Sequence, residues 1–298
     1  MDVSIIIVNY NTSKLINDCI NTIFCKTLDV DYEIIIVDNN SEKLEDVIIE
    51  AKDSRIRLLQ LSENIGFGGA NNAGVEIARG RNLFFLNPDT LLINNAIKIL
   101  SDFLDNNPKC GVCGGNLFNK DMHPVCSFHR KMPGIFWEID DLFHTIPEKI
   151  LYGKNRYFNY SGKPIRVGYI QGADLMITTS LFKKLGGFSD DFFMYYEETD
   201  LCRRVKKAGY AIISEPKAEI IHYESASFDN SEAVKRKWKI VYESRKIYLI
   251  KGHSYIKYKL SNFLCYLFLR SRILLLKNSP KKEIYKVRLN SLMTVDTK

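Results

Sequence analysis

Short apolar runs alternate with polar clusters through the first ninety residues. Val3 to Val8 is a β-branched run ended by Asn9, Tyr10, Asn11 and Thr12, and a helical pattern through Leu15, Ile16, Cys19, Ile20 and Ile23 follows. Glu33 to Val37 repeats the design, ending in Asp38-Asn39-Asn40-Ser41 ahead of a helix expected around Leu44 to Ala51. A third strand, Arg57 to Leu61, ends in Ser62-Glu63-Asn64 and precedes a glycine-rich turn and a helix from about Ala70 to Ala78. The run Leu83 to Leu86 is too short for a typical helix and is stopped by Pro88, so it reads as a strand buried on both faces. Strand, polar loop and helix in repetition predict right-handed crossovers and a parallel sheet, a nucleotide-fold half.

In such a sheet ligands gather at the carboxyl ends of the strands, so Asp89 in Asn87-Pro88-Asp89 is placed to hold something charged. The same three residues also favour a type I turn with no ligand. The loop Asn64 to Gly74, NIGFGGANNAG, does not fit a dinucleotide fingerprint: after Gly66 and Gly68 the third glycine position is Asn71, and the loop follows the third strand. A dinucleotide-dependent dehydrogenase is discounted on that ground. A glycine-rich turn entering a helix still lets backbone amides approach a phosphate or ribose, although tight packing alone also accounts for glycines.

Further along, Cys110, Cys113, His123, Cys126 and His129 offer soft ligands, but their spacing fits no familiar zinc pattern, and a plain surface loop is expected. Phe136 to Lys163, rich in aromatics and charge, suits a variable acceptor-facing loop. Val167 to Thr178 resumes an apolar pattern around Gln171-Gly172-Ala173-Asp174, with the glycine marking a bend. Glu197-Glu198-Thr199-Asp200 opens a helix running from Leu201 to Ala208 and closed by Gly209. Two short strands are expected at Ala211 to Ser214 and Ala218 to Ile221, the latter delivering His222.

Composition and charge sharpen this picture. With 298 residues and 46% hydrophobic content, the chain suits one large domain or one plus an appendage, and no internal repeat interrupts it. Seven scattered cysteines, and no basic or small-residue signal near Met1, point to reduced thiols and a cytosolic catalytic part. From Ser231 to Lys298 there are 17 Lys+Arg against 4 Asp+Glu, or +13, while the remainder carries 25 against 31, or −6. Residues 1–230 therefore read as the body and 231–298 as a basic amphipathic helical region. Within it the apolar segment Ile256 to Leu276 is interrupted by Arg270 and Arg272 and falls short of the ~20 residues that a spanning helix needs. It is expected to lie on an anionic membrane rather than to cross one.

Asp38 in VDNNS, the pattern Asn64-x-Gly66-x-x-x-Ala70-x-Asn72-x-Gly74, Asn87-Pro88-Asp89 and the segment Gly186 to Tyr210 resemble, in that order, the inverting family-2 glycosyltransferases. The likeness spans roughly Val3 to His222 and is greatest to bacterial rhamnosyltransferase-like members. It implies the nucleotide-sugar-binding α/β fold called GT-A, a mainly parallel sheet flanked by helices. It also implies that Tyr10, Asp38, Asn64, Gly66 and Asn72 hold the nucleotide, with Asp38 on a pyrimidine ring. Gly172 and Ala173 then lie beside the donor sugar. Asp89 matches the last carboxylate of the family's DxD motif, which holds Mg²⁺ or Mn²⁺ on the diphosphate, and His222 matches a histidine that completes the metal shell. Asn87 stands where the first aspartate would be, so a metal is expected to bind weakly in the absence of the sugar nucleotide.

The family usually carries Glu-Asp-x-Asp where this chain has Glu197-Glu198-Thr199-Asp200, which places its catalytic base on Glu198 with Asp200 as a rival. Asp200 lies four residues before Arg204 on one helix face, so an ion pair competes with catalysis there. The function implied is transfer of a sugar from a nucleoside diphosphate donor, of UDP or dTDP type, to a glycan or lipid-linked acceptor in cell-surface polysaccharide synthesis, at the inner face of the cell membrane. Two other classes stay open on the residues alone: a nucleic-acid-binding protein acting through the basic region, and a catalytically silent sugar-nucleotide module. The first leaves Asp38, Asp89 and the Glu197 to Asp200 cluster without a role, and no nucleic-acid partner is expected.

Overall fold

The computed structural model describes residues 1–43, 52–223, 231–252 and 254–297. They form two units, one of Met1–Arg130, Lys154–Asp190 and Glu197–Ser225, the other of Lys131–Gly153, Asp191–Tyr196 and Ala226–Lys298. The helix expected around Leu44 to Ala51 lies outside the described residues.

The first unit is built on β1 (Val3–Asn9), which is buried along its whole length. Helix α1 (Ser13–Lys26) lays Ile16, Cys19, Ile20 and Ile23 into the core and leads to β2 (Tyr32–Asp38), which pairs with β1 in parallel from Val3 opposite Tyr32 to Asn9 opposite Asp38. Strand β3 (Ile56–Gln60) adds outside β2, and after α2 (Gly66–Glu76) strand β4 (Asn82–Leu86) adds on the other side of β1. Helix α2 starts earlier than the apolar pattern shows, because its first turn is mostly glycine and leaves no periodic trace. At Gly74 a Cβ would come within 2.8 Å of Ile6 and 3.0 Å of Val37, so this glycine lets α2 settle on the sheet.

After β5 (Thr90–Leu92) and α3 (Ala96–Asn106) the chain forms β6 (Cys110–Phe118) and the short β7 (Phe128–His129). It passes through the other unit as α4 (Ile135–Leu142) and α5 (Ile146–Tyr152), and returns as β8 (Ile165–Arg166), β9 (Tyr169–Ile170) and β10 (Asp174–Thr178). Helices α6 (Thr179–Lys184) and α7 (Glu197–Lys207) precede β11 (Ala211–His222). Among the described residues the main sheet runs β3-β2-β1-β4-β10-β6-β11-β5, with β8 on β11. It is mainly parallel: β10 runs antiparallel to both β4 and β6, and β11 is again parallel to β6.

Two sequence expectations change here. The two short strands before His222 are one strand, whose register on β6 shifts between Ser214 and Glu219. Pro216, which has no N–H to offer the ladder, sits at that irregularity. Cys110 and Cys113 are not in a surface loop but buried in β6, where their thiols donate to the carbonyls of Val112 and Leu100. No group of three or more His, Cys, Asp or Glu among the described residues could hold a metal ion.

The second unit is helical: α4 packs on α9 (Tyr255–Leu275), and both α8 (Ser231–Gly252) and α9 pack on α10 (Pro280–Asp296). At its centre the Arg245 guanidinium donates to Glu138 Oε1 at 2.6 Å and to Ser261 Oγ at 2.8 Å, and also bonds Asn262. All four groups are buried, so the pair ties α8, α4 and α9 together by charge where apolar contacts alone set no unique register. No helix among the described residues is long and apolar enough to cross a membrane.

In the first unit Asp174 is fully buried, with Oδ2 accepting from the Gly115 N–H at 2.6 Å and Oδ1 without a partner. Burial pushes its carboxyl well above the ordinary value, against the opposing effect of that amide bond. The folded chain thus keeps a proton that the unfolded chain releases, and stability falls as pH rises from the ordinary aspartate value of 3.8 toward the raised one. Asp174→Asn, which preserves the acceptor for Gly115, is expected to raise the thermal midpoint at neutral pH and flatten its fall above pH ~4. A set of melts across pH on both proteins checks this.

Candidate active site

The topology brings the polar ends of several strands to one edge of the sheet. Asn9 ends β1, Asp38 ends β2, Asn87 follows β4 and His222 ends β11, all on strands that run in the same direction. Because β10 runs the opposite way, its amino end lies at this same edge. The Gly172-Ala173 turn is thereby set next to Asn87, whose N–H donates to the Ala173 carbonyl at 3.0 Å.

At the β1–β2 end, Asn9 Nδ2 donates to Asp38 Oδ1 at 2.7 Å, and Ser41 donates to the same carboxylate through its hydroxyl at 2.6 Å and its N–H at 3.2 Å. Asp38 is thus buried and oriented from three directions. Tyr10, next to Asn9 in sequence, is exposed and donates to Glu42 at 3.2 Å. A residue that the sequence pattern did not single out, Asn39, connects this corner to the glycine loop. Its Oδ1 accepts from the Ile65 N–H at 3.0 Å, and its Nδ2 donates to Asn64 Oδ1 at 2.9 Å and to the Gly66 carbonyl at 3.2 Å. Gly66 has φ +81, a conformation that side chains resist, and its N–H donates to Asn64 Oδ1 at 3.0 Å. The amide of Asn72 is engaged elsewhere: it pairs with the backbone N–H and carbonyl of Phe188, each at 2.9 Å.

A second cluster forms around Asp89. Strand β5 pairs antiparallel with β11, putting His222 opposite Thr90. His222 Nε2 consequently lies 3.3 Å from Asp89 Oδ1 and 3.4 Å from Asn87 Nδ2. Asn87 Oδ1 and His222 Nδ1 are buried without a hydrogen-bond partner. One carboxylate, one imidazole and an orphaned amide oxygen suit Mg²⁺ or Mn²⁺, with the remaining coordination left to water and to ligand oxygens.

The third cluster opens α7. Just before it, Tyr195 and Tyr196 both have φ 69, left-handed values that cost bulky residues on the order of 1–3 kcal/mol each. Glu198 follows, with Cγ 3.7 Å from where a Cβ on Gly172 would stand, so the glutamate stem lies against the Gly172 turn. Thr199 Oγ1 donates to Glu198 Oε1 at 2.9 Å, while burial raises the Glu198 carboxyl above its ordinary value. Glu197, also missed as a participant, is buried against Gly68 with Oε2 unpartnered. Burial first, and then the neighbouring Glu198 charge, push its carboxyl well up. Asp200 is fully buried and accepts from Arg203 and, at 2.7 Å, from Arg204 Nε.

Comparisons with known proteins give the family and the fold. The profile described as "Glycosyl transferase family 2" matches residues 4–173, more than half of the chain, and the chain belongs to that family. It is 27% identical over 210 residues to the N-acetylglucosaminyl-diphospho-decaprenol L-rhamnosyltransferase of Mycobacterium tuberculosis, covering 65% of this chain and 67% of that protein. It is 26% identical over 210 residues to the low-salt glycan biosynthesis hexosyltransferase Agl10 of Haloferax volcanii, covering 69% of this chain and 62% of the relative. Among solved structures, GalNAc-T7 with UDP, GalNAc and Mn²⁺ superposes with a TM-score of 0.58 at 14% identity, over 97% of this chain. The chain spans about half of that protein, 55%, and the likeness is one of fold, the GT-A arrangement of a mainly parallel sheet and flanking helices.

Because Asn39 makes three bonds between the β2 end and the glycine loop, Asn39→Ala is expected to lower stability by about 1–3 kcal/mol. It should also weaken nucleoside diphosphate affinity while leaving any metal stimulation proportionally unchanged. Thermal melts with calorimetric titration of UDP and dTDP, with and without Mn²⁺, check both parts.

Proposed function

We propose that this chain is an inverting hexosyltransferase. It moves a sugar from a nucleoside diphosphate donor of UDP or dTDP type to a hydroxyl of a glycan or lipid-linked glycan acceptor, in cell-surface polysaccharide synthesis at the inner face of the membrane. Residues 1–230 hold the transferase and 231–298 serve its attachment. The observation that carries the reading is the placement of Glu198 against the Gly172 turn, on the edge where Asp38, Asp89 and His222 also converge. The names of the mycobacterial and haloarchaeal relatives, one acting on a lipid diphosphate acceptor, supply the substrate class.

In this reading Asp38, oriented by Asn9 and Ser41, accepts from the pyrimidine base, and Tyr10, Asn64 and Gly66 surround the nucleoside, while Asn72, bonded to the Phe188 backbone, braces the loop from behind. The Gly172-Ala173 turn leaves room for the donor sugar. Asp89 and His222 would hold Mg²⁺ or Mn²⁺, which would neutralise charge developing on the diphosphate. Glu198 takes the proton of the acceptor hydroxyl as that oxygen bonds the anomeric carbon, and the bond from that carbon to the diphosphate oxygen breaks on the opposite face. Asp200, committed to Arg203 and Arg204, sets the start of α7 and leaves the proton transfer to Glu198.

Removing a general base typically costs about 10²- to 10⁴-fold, so Glu198→Gln is expected to lose that much kcat with donor affinity retained. Near-normal turnover would refute the assignment. The raised Glu198 carboxyl places the acidic limb of the wild-type pH profile above the ordinary glutamate range, because the base must be ionised to act. Asp89→Ala should abolish metal stimulation of acceptor-free donor hydrolysis, and His222→Ala should produce a milder loss recovered at high Mn²⁺. Full metal-stimulated hydrolysis in Asp89→Ala would sink the metal assignment.

A further inference from the structure

Helix α9 carries two apolar faces. Tyr258, Cys265, Phe268 and Leu269 are buried in the helical unit, while Ile256, Leu260, Phe263 and Leu267 stand on the opposite side at spacings i, i+4, i+7 and i+11. These four are 79%, 45%, 57% and 36% exposed, and the inner face already makes the unit's contacts, so the outer stripe is surplus to folding. Leu274 at 77% extends it by two turns. The helical unit as a whole carries 17 of the 25 exposed large hydrophobic residues among those described, although it comprises about a third of the chain. Helix α4 packs on α9, and the α4–α5 segment adds Phe136 at 80% and Ile150 at 78% exposed. A row of exposed apolar side chains along one helix face, as on α9, marks an interaction surface.

The charge around the stripe decides what covers it. Helix α9 holds Lys257, Lys259, Arg270 and Arg272 and no acidic residue. Lys257 follows Ile256 directly, and Arg270 lies three residues beyond Leu267, so cations border the apolar row at both ends. Residues 231–298, which include α9, carry a net +13. Such a face repels a second copy of itself and complements an apolar layer edged with negative charge. We propose that the outer stripe of α9 is an in-plane docking surface for an anionic phospholipid bilayer. The apolar side chains enter the acyl boundary and Lys257 and Arg270 meet the headgroups, in a helix that lies along the interface. This deepens the membrane-side reading of the transferase without depending on its chemistry.

Truncating the chain before α9 does not test the proposal, since it would also uncover the buried faces of Tyr242 and Tyr248 and remove Ser261 and Asn262 from Arg245. Substitutions on the exposed side do. The full chain is measured for flotation with phosphatidylglycerol vesicles and with phosphatidylcholine vesicles at low salt. Preference for the anionic vesicles is expected, with loss of binding as salt rises. The double variant Leu260→Asp with Phe263→Asp should weaken binding about tenfold or more. The control Leu28→Asp, at a position 61% exposed in the other unit, should bind like wild type. Lys257→Glu with Arg270→Glu supplies an independent arm that keeps the apolar row, and it should weaken binding roughly 25-fold or more, about fivefold for each cation removed. Circular dichroism and acceptor-free donor hydrolysis in vesicle-free buffer establish that each variant is folded, so failure of the transferase reading registers separately. Wild-type indifference to anionic vesicles, or undiminished binding by both double variants, overturns the proposal. So does a wild-type dimer that Leu260→Asp with Phe263→Asp turns into a monomer with vesicle binding unchanged, which would assign the stripe to a second copy.

Discussion

The parallel pairing of β1 with β2 is the constraint on which the rest depends. Both strands are buried from end to end, so every polar backbone group must be met by the ladder, and the polar side chains within them are partnered: Ser4 donates to Glu33 at 2.7 Å near the start, and the stretch from there to the last residues is apolar. They finish together, with Asn9 opposite Asp38, and the bond between those two side chains closes the apolar stretch and opens the polar edge. Parallel addition of β4 carries the same rule outward and delivers Asn87 and Asp89 to that edge. The reversed strand β10 completes the set, because only a strand running the other way could begin there with the small Gly172-Ala173 turn. Chemistry collects at this edge because that is where these strands end together.

Much of that edge was legible from residue order alone. Four apolar runs followed by polar clusters specify parallel strands and their exits, and the four-residue interval from Asp200 to Arg204 specifies a helical ion pair that the structure contains. What was not legible depends on contacts distant in sequence. Asn39 reads as one more loop polar residue until the fold sets it beside Asn64 and Gly66. Glu197 reads as a solvated helix-start carboxylate until packing against Gly68 removes it from water. The strand to His222 reads as two pieces because Pro216 breaks the local pattern, whereas pairing with β6 resumes beyond the irregularity.

The helical unit shows a different limit. Periodicity in α9 reveals apolar residues all round the helix but cannot say which row meets protein. That is settled by the buried Arg245–Glu138 pair, which draws α4, 107 residues away in sequence from its partner, against α8 and brings α9 in through Ser261 and Asn262. A charge pair so placed would cost stability if broken on one side, and its geometry fixes the facing of α9. The segment from Lys131 to Gly153 belongs to this assembly, a role that its mixed aromatic and charged composition did not announce.

The central claim is that the sheet edge is a nucleoside diphosphate sugar site. The most direct test is the thermal midpoint of the full chain in a panel of nucleoside diphosphate sugars with Mn²⁺, since a ligand that binds only the folded state raises the midpoint by mass action. The account predicts an upward shift with a UDP or dTDP sugar that is lost in Asp38→Ala and reduced without metal. No shift with any nucleoside diphosphate sugar, together with stabilisation by an oligonucleotide, would contradict it.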